Sequence, residues 1–336
     1  MNKKAVIFGG TGFIGNFFAK QLIEYEGYDQ IYLCDYITKN NKNYIDSYIY
    51  KNKKIKIINI DIRERIDLEL DVNIDLVCNF AAIHREPGHE YHEYFQTNLK
   101  GAENVCNWAD DIGCKNIIFT SSVAPYGGTE QEKTENTIPM PNTAYGISKL
   151  VAEKIHQIWQ KDDDNKKLII IRPGVVFGPG EDGNVPRLIK AIKKNYFFYT
   201  GNKNTVKAGV YIKELCLALA WCINFQGTSN KNYILFNMSM YPMPTMKEYV
   251  NTIQLILNKT FLILNIPFNL LLFSSYILNP FLNLFKPEHP FKPTRIRKLI
   301  KSNNIKPDFL LKNGYKFKYN LESAMRDWKK DAPSDW

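Results

Sequence analysis

Residues 4–15 read KAVIFGGTGFIG, an apolar run followed by glycines at positions 9, 12 and 15. The apolar run predicts a buried strand, and the pattern after the glycines predicts a helix. In such a strand–turn–helix unit this glycine spacing is typical of dinucleotide binding, because the helix N-terminus presents backbone N–H groups to phosphates. Gly9 permits the tight turn, Gly12 lets the backbone approach a pyrophosphate, and Gly15 lets helix and strand pack closely.

Predicted strands and predicted helices continue to alternate along the first half of the chain. Nearly all-apolar strands that alternate with helices indicate a parallel sheet covered on both faces. We therefore predict an α/β fold, with a Rossmann-like, doubly wound parallel sheet in residues 1–178 and a smaller mixed α/β substrate lobe in residues 179–336. The predicted strands cover residues 4–8, 30–36, 54–61, 74–82, 115–122 and 167–178, and the predicted helices cover residues 13–25, 91–112 and 143–159.

The end of the second predicted strand indicates which dinucleotide binds. Asp35 lies there, twenty residues beyond Gly15. A carboxylate at this position accepts hydrogen bonds from a ribose 2′-hydroxyl and repels a 2′-phosphate, which favours NAD over NADP. Lys39 lies close enough to keep NADP open. Asp61, at the end of the third strand, either meets the adenine edge or is an ordinary carboxylate that starts a loop.

Composition limits the kind of protein. The 336-residue chain is 45% hydrophobic and 23% charged, as in an ordinary globular protein. Its six cysteines lie far apart and form no C-x-x-C pair, which argues for reduced thiols in a cytoplasmic protein and against a disulfide framework or a metal site. The apolar run near the N-terminus is too short for a signal peptide.

A second motif, YGISK, lies in the third predicted helix. It places Tyr145 and Lys149 four residues apart on one helix face. A lysine one turn from a tyrosine lowers the pKa of the phenol, and it can also hydrogen-bond a nicotinamide ribose. Such a pair also arises by chance in core or surface helices. Ser121 and Ser122, however, end the fifth strand at the same sheet edge as the glycine turn, which favours a shared catalytic site.

Together these motifs resemble the extended short-chain dehydrogenase/reductase family, which includes the sugar-nucleotide epimerases and dehydratases. The resemblance implies that Ser122 polarises a sugar hydroxyl, Tyr145 is the acid/base and Lys149 tunes it. The motifs that carry it are GGTGFIG, NFAA, TNLKG, TSSVAPYG, YGISK and RPGVVFGPG. The NAD contacts that it implies are Gly9, Thr11, Gly12, Phe13, Ile14, Gly15, Asp35, Asp61, Ile62, Phe80, Ala81, Ala82, Asn98, Thr120, Tyr145, Lys149 and Pro173.

The residues after Ser122 narrow the reaction. Val123 and Ala124 stand where similar 4,6-dehydratases carry an Asp-Glu pair, and no cysteine follows as in the fucose-synthase type. What remains is hydride chemistry at one carbon, either epimerisation or ketoreduction. In an epimerase Tyr145 takes the proton of the sugar 4-hydroxyl while the hydride passes to NAD and returns on the other face. A non-catalytic NAD-binding protein of this fold would be expected to lose Tyr145 or Lys149.

The substrate is predicted from departures from the family pattern. Lys207, in KAGVYIKE, replaces an arginine that commonly holds the diphosphate, and a late R-x-G-D motif is not found. These departures are similar to bacterial 4-epimerases that act on N-acetylglucosaminyl-diphospho-undecaprenol. A lipid-linked N-acetylhexosamine diphosphate is therefore expected, with a UDP-sugar as the alternative. The predicted substrate contacts are His84, Arg85, Ser122, Val123, Asn184, Arg187 and Lys207.

The C-terminal part of the chain bears on location and partners. Residues 260–285 contain no charged residue, and the following residues 286–318 contain ten lysines or arginines against two acidic residues. This combination favours peripheral contact with the inner face of the cytoplasmic membrane over nucleic acid. Pro267 and Pro280 favour an interfacial helix or a broken pair over a spanning helix. The alternative is a core helix followed by a solvated basic surface. The resemblance also implies a homodimer.

Overall fold

The computed structural model describes residues 2–37, 47–70, 72–84, 88–128, 130–285, 291–293, 296–297 and 302–336. Two residues named above, Lys39 and Arg85, lie outside these ranges, so their predicted roles stay predictions.

A parallel sheet of seven strands forms the centre of the molecule. The strands of this sheet and of two small sheets are β1 Lys3–Phe8, β2 Tyr28–Asp35, β3 Ile55–Asn59, β4 Leu76–Asn79, β5 Asn116–Thr120, β6 Lys167–Pro173, β7 Val175–Phe177, β8 Tyr199–Thr200, β9 Gly209–Tyr211, β10 Tyr233–Met238 and β11 Asn265–Ile266. The large sheet has the order β10-β6-β5-β4-β1-β2-β3, and two small sheets pair β11 with β8 and β7 with β9. The predicted α/β, Rossmann-like architecture is confirmed.

Helices cover both faces of the sheet. They are α1 Phe13–Glu24, α2 Ser47–Lys51, α3 Tyr91–Asp111, α4 Ala144–Lys161, α5 Asn184–Lys193, α6 Ile212–Thr228, α7 Met246–Ile256, α8 Phe268–Phe285, α9 Asp308–Lys312 and α10 Leu321–Asp331, with 3₁₀ turns at Ala124–Tyr126 and Pro333–Asp335. Thr143 caps α4, since its side chain accepts a hydrogen bond from the Gly146 N–H at 3.1 Å. The chain leaves α3 through Gly113, whose φ of +71° lies in the left-handed region that favours glycine.

Strand β1 shows why the sheet needs two helical layers. Its residues alternate between two cores, and all four side chains from Ala5 to Phe8 are fully buried. Ala5 and Ile7 pack in the core that also contains α1 and α6, whereas Val6 and Phe8 pack in the core that also contains α3. Because successive side chains of a strand point to opposite faces, an all-apolar strand must be covered on both.

The predicted sixth strand, residues 167–178, is divided in the structure. Strand β6 ends at Pro173, and β7 pairs with β9 outside the large sheet. Gly174 lies at the break and packs closely against the Ala208 backbone, since a Cβ there would lie 2.3 Å from the Ala208 carbonyl oxygen. The edge strand β10 pairs instead with β6. Residues beyond 178 therefore complete the sheet, and the division of the chain into two lobes remains a prediction.

Helix α8 lies largely on the surface. Of its residues, only Leu271 and Ser275 are buried. The alternative of a core helix is therefore wrong. It is a single continuous helix that contains Pro280, rather than a broken pair. Within the described chain it is the one helix long and apolar enough to cross a membrane by length and composition. Its exposed large apolar side chains, between 42% and 79% accessible, are Leu270, Phe273, Tyr276, Ile277, Leu278, Phe281, Leu284 and Phe285.

We expect Gly15→Ala to lower the free energy of unfolding by about 3 kcal/mol, an overpacking cost. A Cβ at Gly15 would lie 2.4 Å from the Gly9 carbonyl oxygen and 2.7 Å from the Gly10 Cα, which are backbone atoms that cannot move aside. The measurement is denaturant unfolding monitored by circular dichroism. Gly227→Ala in α6 is the matched control, because nothing lies within 4 Å of its added methyl group. Equal stability of the two variants would contradict the close-packing role of Gly15.

Candidate active site

The candidate site lies where the strand order reverses between β1 and β4. These strands are neighbours in the sheet, and the Phe80 N–H donates to the Phe8 carbonyl oxygen at their carboxyl ends. In open parallel sheets ligands bind in the crevice outside this point. The glycine turn follows β1, and residues Phe80–Ala82 follow β4, so both line the same edge.

The glycine turn has the geometry that a pyrophosphate requires. Gly9 has φ +75°, and a Cβ there would lie 2.5 Å from the Ala81 nitrogen. At Gly12 an added Cβ would meet only the Gly9 carbonyl oxygen, at 3.1 Å. Helix α1 begins directly after Gly12, with no side-chain cap and no acidic residue in its first turn. The positive end of the helix dipole thus stands at the crevice, which fits a bound dinucleotide.

Asp35 is fixed to the glycine turn. Its Oδ2 accepts hydrogen bonds from the Thr11 N–H at 3.1 Å and from the Thr11 hydroxyl at 2.6 Å. Its Oδ1 accepts from the Tyr36 N–H at 3.0 Å. The carboxylate is held at the end of β2, the position at which a ribose hydroxyl would be recognised. Its contact with NAD stays a prediction.

Asp61 has a partner that sequence reasoning missed. The Arg63 guanidinium donates through Nε to both carboxylate oxygens, at 2.9 and 3.0 Å, and through Nη2 at 2.5 Å. These hydrogen bonds hold the pKa of Asp61 below its usual value. The Arg63 Cζ also lies 5.0 Å from the centroid of the Tyr36 ring. An adenine at Asp61 would therefore share that carboxylate with Arg63. The sequence signal for this pair was an arginine two residues after the aspartate.

Asn98 links two parts of the site. Its Oδ1 accepts from the Ile83 N–H at 2.9 Å, and its Nδ2 donates to the Ile83 carbonyl oxygen at 3.2 Å and to the Ser148 hydroxyl at 2.9 Å. The side chain therefore ties the loop after β4 to helix α4. Its predicted contact with NAD stays a prediction. The other predicted NAD contacts in this part of the molecule lie close to strand ends, and they are Ile62, Phe80, Ala81, Ala82, Thr120 and Pro173.

The three predicted catalytic residues come from two elements in direct contact. Ser122 follows β5, and its hydroxyl accepts from the Ala124 N–H at 3.1 Å. Tyr145 and Lys149 lie on α4. A Cβ at Gly146 would lie 2.8 Å from the Ala124 carbonyl oxygen, so the Ser122 loop packs against the first turn of α4. This packing places the serine loop beside the tyrosine helix.

Lys149 is buried inside the protein. Its Nζ lies 4.3 Å from the centroid of the Phe119 ring. Burial lowers the pKa of Lys149 to about 7, and the charge of Glu153 acts in the opposite direction. The side chain can therefore change its charge near neutral pH.

Sequence reasoning missed a buried polar network behind these residues. Arg172 donates to Glu153 through Nε at 2.8 Å and through Nη2 at 2.5 Å. The Ser121 hydroxyl donates to the same carboxylate at 2.5 Å. The Arg172 guanidinium also lies 4.7 Å from the centroid of the Tyr126 ring, and the Tyr126 hydroxyl donates to Asn237 at 2.8 Å. The signals were a glutamate four residues after Lys149 and one arginine in an apolar strand.

Val123 packs beside Ala208, the residue that follows Lys207. The Val123 N–H donates to the Pro173 carbonyl oxygen at 3.2 Å, and the Val123 side chain packs with Tyr126, Ala208 and Ile305. Lys207 immediately precedes Ala208. Burial lowers the pKa of Lys207, and Glu130 opposes the shift.

The other predicted substrate residues lie on the surface. His84, in the loop after β4, is exposed, and so are Asn184 and Arg187 at the start of α5. Their contacts with substrate stay predictions. Within the described ranges no three His, Cys, Asp or Glu side chains are grouped to hold a metal ion.

Comparisons with known proteins agree with this geometry. A model of the NAD dependent epimerase/dehydratase family matches residues 5–235. The N-acetyl-alpha-D-glucosaminyl-diphospho-ditrans,octacis-undecaprenol 4-epimerase of Escherichia coli O157:H7 is 26% identical over 327 residues, which cover 97% of this chain and 94% of that protein. The UDP-glucose 4-epimerase of Vibrio cholerae is 29% identical over 248 residues, 70% of this chain and 71% of that protein.

The fold is shared with solved structures. The crystal structure of UDP-glucuronic acid 4-epimerase from Bacillus cereus in complex with NAD matches with a TM-score of 0.72 and 18% identity. The match covers 98% of this chain and 99% of that one.

Proposed function

This chain belongs to the NAD dependent epimerase/dehydratase family, and from that premise we propose that it is a 4-epimerase of an N-acetylhexosamine carried on undecaprenyl diphosphate. The sugar is of the GlcNAc/GalNAc type, and the pathway is surface-polysaccharide biosynthesis. The main support for a lipid-linked substrate is the exposed apolar surface of α8, which an enzyme for a nucleotide-linked sugar does not require.

Bound NAD would supply a hydride acceptor and donor for the sugar C4. The glycine turn would hold its pyrophosphate and Asp35 its adenosine ribose. The phenolic oxygen of Tyr145 takes the proton of the 4-hydroxyl and later gives it back, so no net proton is consumed. The Ser122 hydroxyl hydrogen-bonds the same sugar oxygen. The Lys149 ammonium stabilises the phenolate of Tyr145 by its charge.

The surroundings of Val123 argue against dehydration. Eliminating water requires an acid and a base beside the serine, whereas Val123 packs in an apolar cluster with Tyr126 and Ala208. Nothing at Val123 or Ala124 can transfer a proton. The reaction proposed is therefore limited to C4.

The lipid carrier is supported by three further observations. Lys207, unlike arginine, cannot form a two-point fork with a phosphate. The Escherichia coli relative, whose name includes diphospho-undecaprenol, aligns with 97% of this chain. Residues 286–318 are strongly basic, which suits an anionic lipid surface.

We place α8 on the inner face of the cytoplasmic membrane, so that the protein is cytoplasmic and peripheral. The helix is about 27 Å long at 1.5 Å per residue. Arg297 donates to the Tyr276 hydroxyl at 2.6 Å, which puts a cation beside the apolar side chains.

Helix α4 also has exposed apolar side chains at helical spacing, which are Ile147, Val151 and Ile158. We propose that this face of α4 forms a homodimer.

A cell-free assay tests the carrier. The purified protein is offered GlcNAc-diphospho-undecaprenol and UDP-GlcNAc separately, and the sugar released by mild acid is identified by chromatography. We expect GalNAc from the lipid-linked substrate, with no net change in NADH absorbance because an epimerase regenerates its cofactor. Turnover of UDP-GlcNAc alone would overturn the lipid carrier. Stoichiometric loss of NAD(P)H absorbance with a 4-keto sugar would indicate a ketoreductase instead.

A further inference from the structure

Glu153 and Arg172 form an ion pair in the interior behind the candidate active site. Their side chains are 1% and 4% exposed. Glu153 uses both oxygens: Oε1 accepts from Arg172 Nε at 2.8 Å and from the Ser121 hydroxyl, and Oε2 accepts from Arg172 Nη2 at 2.5 Å. Removing charges from water is costly, and a buried pair is often replaceable by apolar side chains without loss of stability. Stability alone therefore does not account for the pair.

The position of Glu153 relates it to all three predicted catalytic residues. It follows Lys149 by four residues on α4 and is thus one helical turn from it. The same carboxylate holds Ser121, and the next residue is Ser122. Glu153 thus connects the end of β5, which carries the serine, to the helix that carries Tyr145 and Lys149.

We propose that Glu153 is a positioning residue for the reaction, which fixes the Ser122 loop against α4 and supplies the negative charge that keeps Lys149 cationic. The proposal rests on the function proposed above. Arg172 has a supporting part: it orients the carboxylate from β6.

The charged and titratable groups around Lys149 support this assignment. Burial lowers the pKa of Lys149 to about 7, and Glu153 raises it. On the next turn of α4, burial lowers the pKa of His156 to about 4, so this ring is neutral near pH 7. From β5 the neighbour is the uncharged ring of Phe119. From α3, the Tyr94 ring lies 6.2 Å between centroids from the ring of Tyr145, which is one helical turn before Lys149. From β6, Arg172 is bound to Glu153 itself.

The test is Glu153→Gln, whose amide oxygen can still accept from Ser121 but carries no charge. Without that charge the pKa of Lys149 falls, so the ammonium is lost at lower pH. We expect the limb of kcat/KM on which activity falls with rising pH to move down by about one pH unit, or tenfold in proton concentration. At the low-pH end of the profile, where Lys149 is cationic in both proteins, the difference between the variant and the wild type should be smallest.

A second readout does not depend on turnover. The protein is labelled with [ε-¹³C]lysine, the Lys149 signal is assigned with Lys149→Arg, and its chemical shift is followed against pH. The midpoint should fall by about one unit in Glu153→Gln. Because this titration needs no substrate, it separates failure of this inference from failure of the proposed epimerase activity.

Two further variants separate the hydrogen bond of Glu153 from its charge and from its role in stability. Ser121→Ala removes the hydrogen bond but leaves the charge, so kcat should fall several-fold while the Lys149 midpoint stays in place. If Glu153→Gln fails to fold because Arg172 is left without a counter-charge, Glu153→Gln/Arg172→Gln removes both charges of the pair. The Lys149 midpoint should still fall, but by less than in the single variant, because the positive charge of Arg172 is lost as well. An unchanged midpoint and pH limb in a folded Glu153 variant would show that the residue is only structural.

Discussion

We expect Tyr145→Phe to slow the proposed epimerisation at the sugar C4 by about 10³-fold, within the range that one positioned acid/base supplies. The variant loses only the phenolic oxygen, and the ring that faces Tyr94 is kept. Substrate binding should therefore change little, so the loss is expected in kcat rather than in KM. The assay is conversion of the lipid-linked sugar by a fixed amount of enzyme, with NAD content measured in the same preparation.

The control for that loss is Tyr91→Phe. Tyr91 begins α3 and is exposed, so removing its hydroxyl should leave turnover unchanged. Full turnover by Tyr145→Phe would mean that another group moves the proton, and it would also make a non-catalytic NAD-binding role of this fold worth testing.

The second large effect is expected at the surface of α8. A triple variant, Phe273→Gln, Phe281→Gln and Leu284→Gln, replaces three exposed apolar side chains of one helix. If each contributes about 1 kcal/mol by partial insertion into lipid, the partition coefficient onto vesicles falls by about 150-fold. The measurement is co-sedimentation with vesicles of phosphatidylglycerol and phosphatidylethanolamine. The buried part of the helix, at Leu271 and Ser275, is untouched, so folding should be preserved.

A matched triple variant controls for the loss of apolar surface in general. Tyr25→Gln, Ile138→Gln and Met140→Gln also replaces three exposed side chains, but these lie outside α8. It should bind vesicles as the wild type does. The proposal of a membrane contact would be withdrawn if wild type and the α8 variant co-sedimented equally.

Much of the fold could be predicted because its signals are local. The glycine turn, the start of α4 near residue 143 and the end of α3 near residue 112 depend on residues within a few positions of each other. Strand β10 could not be assigned in this way, because its partner β6 lies about sixty residues earlier and no local pattern states which strand it joins.

Prediction of the candidate site from sequence is limited in the same way. Tyr145 and Lys149 are four residues apart on one helix and could be paired from spacing alone. Glu153 and Arg172 meet only because α4 packs on β6, so their ion pair follows from tertiary packing. The apolar composition of residues 260–285 fits both a buried core helix and an exposed interfacial helix. Whether such a helix is buried or exposed depends on what the rest of the chain covers, and the structure covers little more than Leu271 and Ser275.

The membrane contact proposed for α8 would have a consequence for kinetics. An enzyme held on a bilayer meets a polyprenyl-linked substrate by diffusion in two dimensions. Its saturation then depends on the mole fraction of substrate among the lipids and not on the bulk concentration. Diluting the substrate with inert phospholipid would slow turnover at a constant total amount of substrate and enzyme. The surface concentration of the substrate in the membrane, rather than its bulk concentration, would then set the rate in the cell.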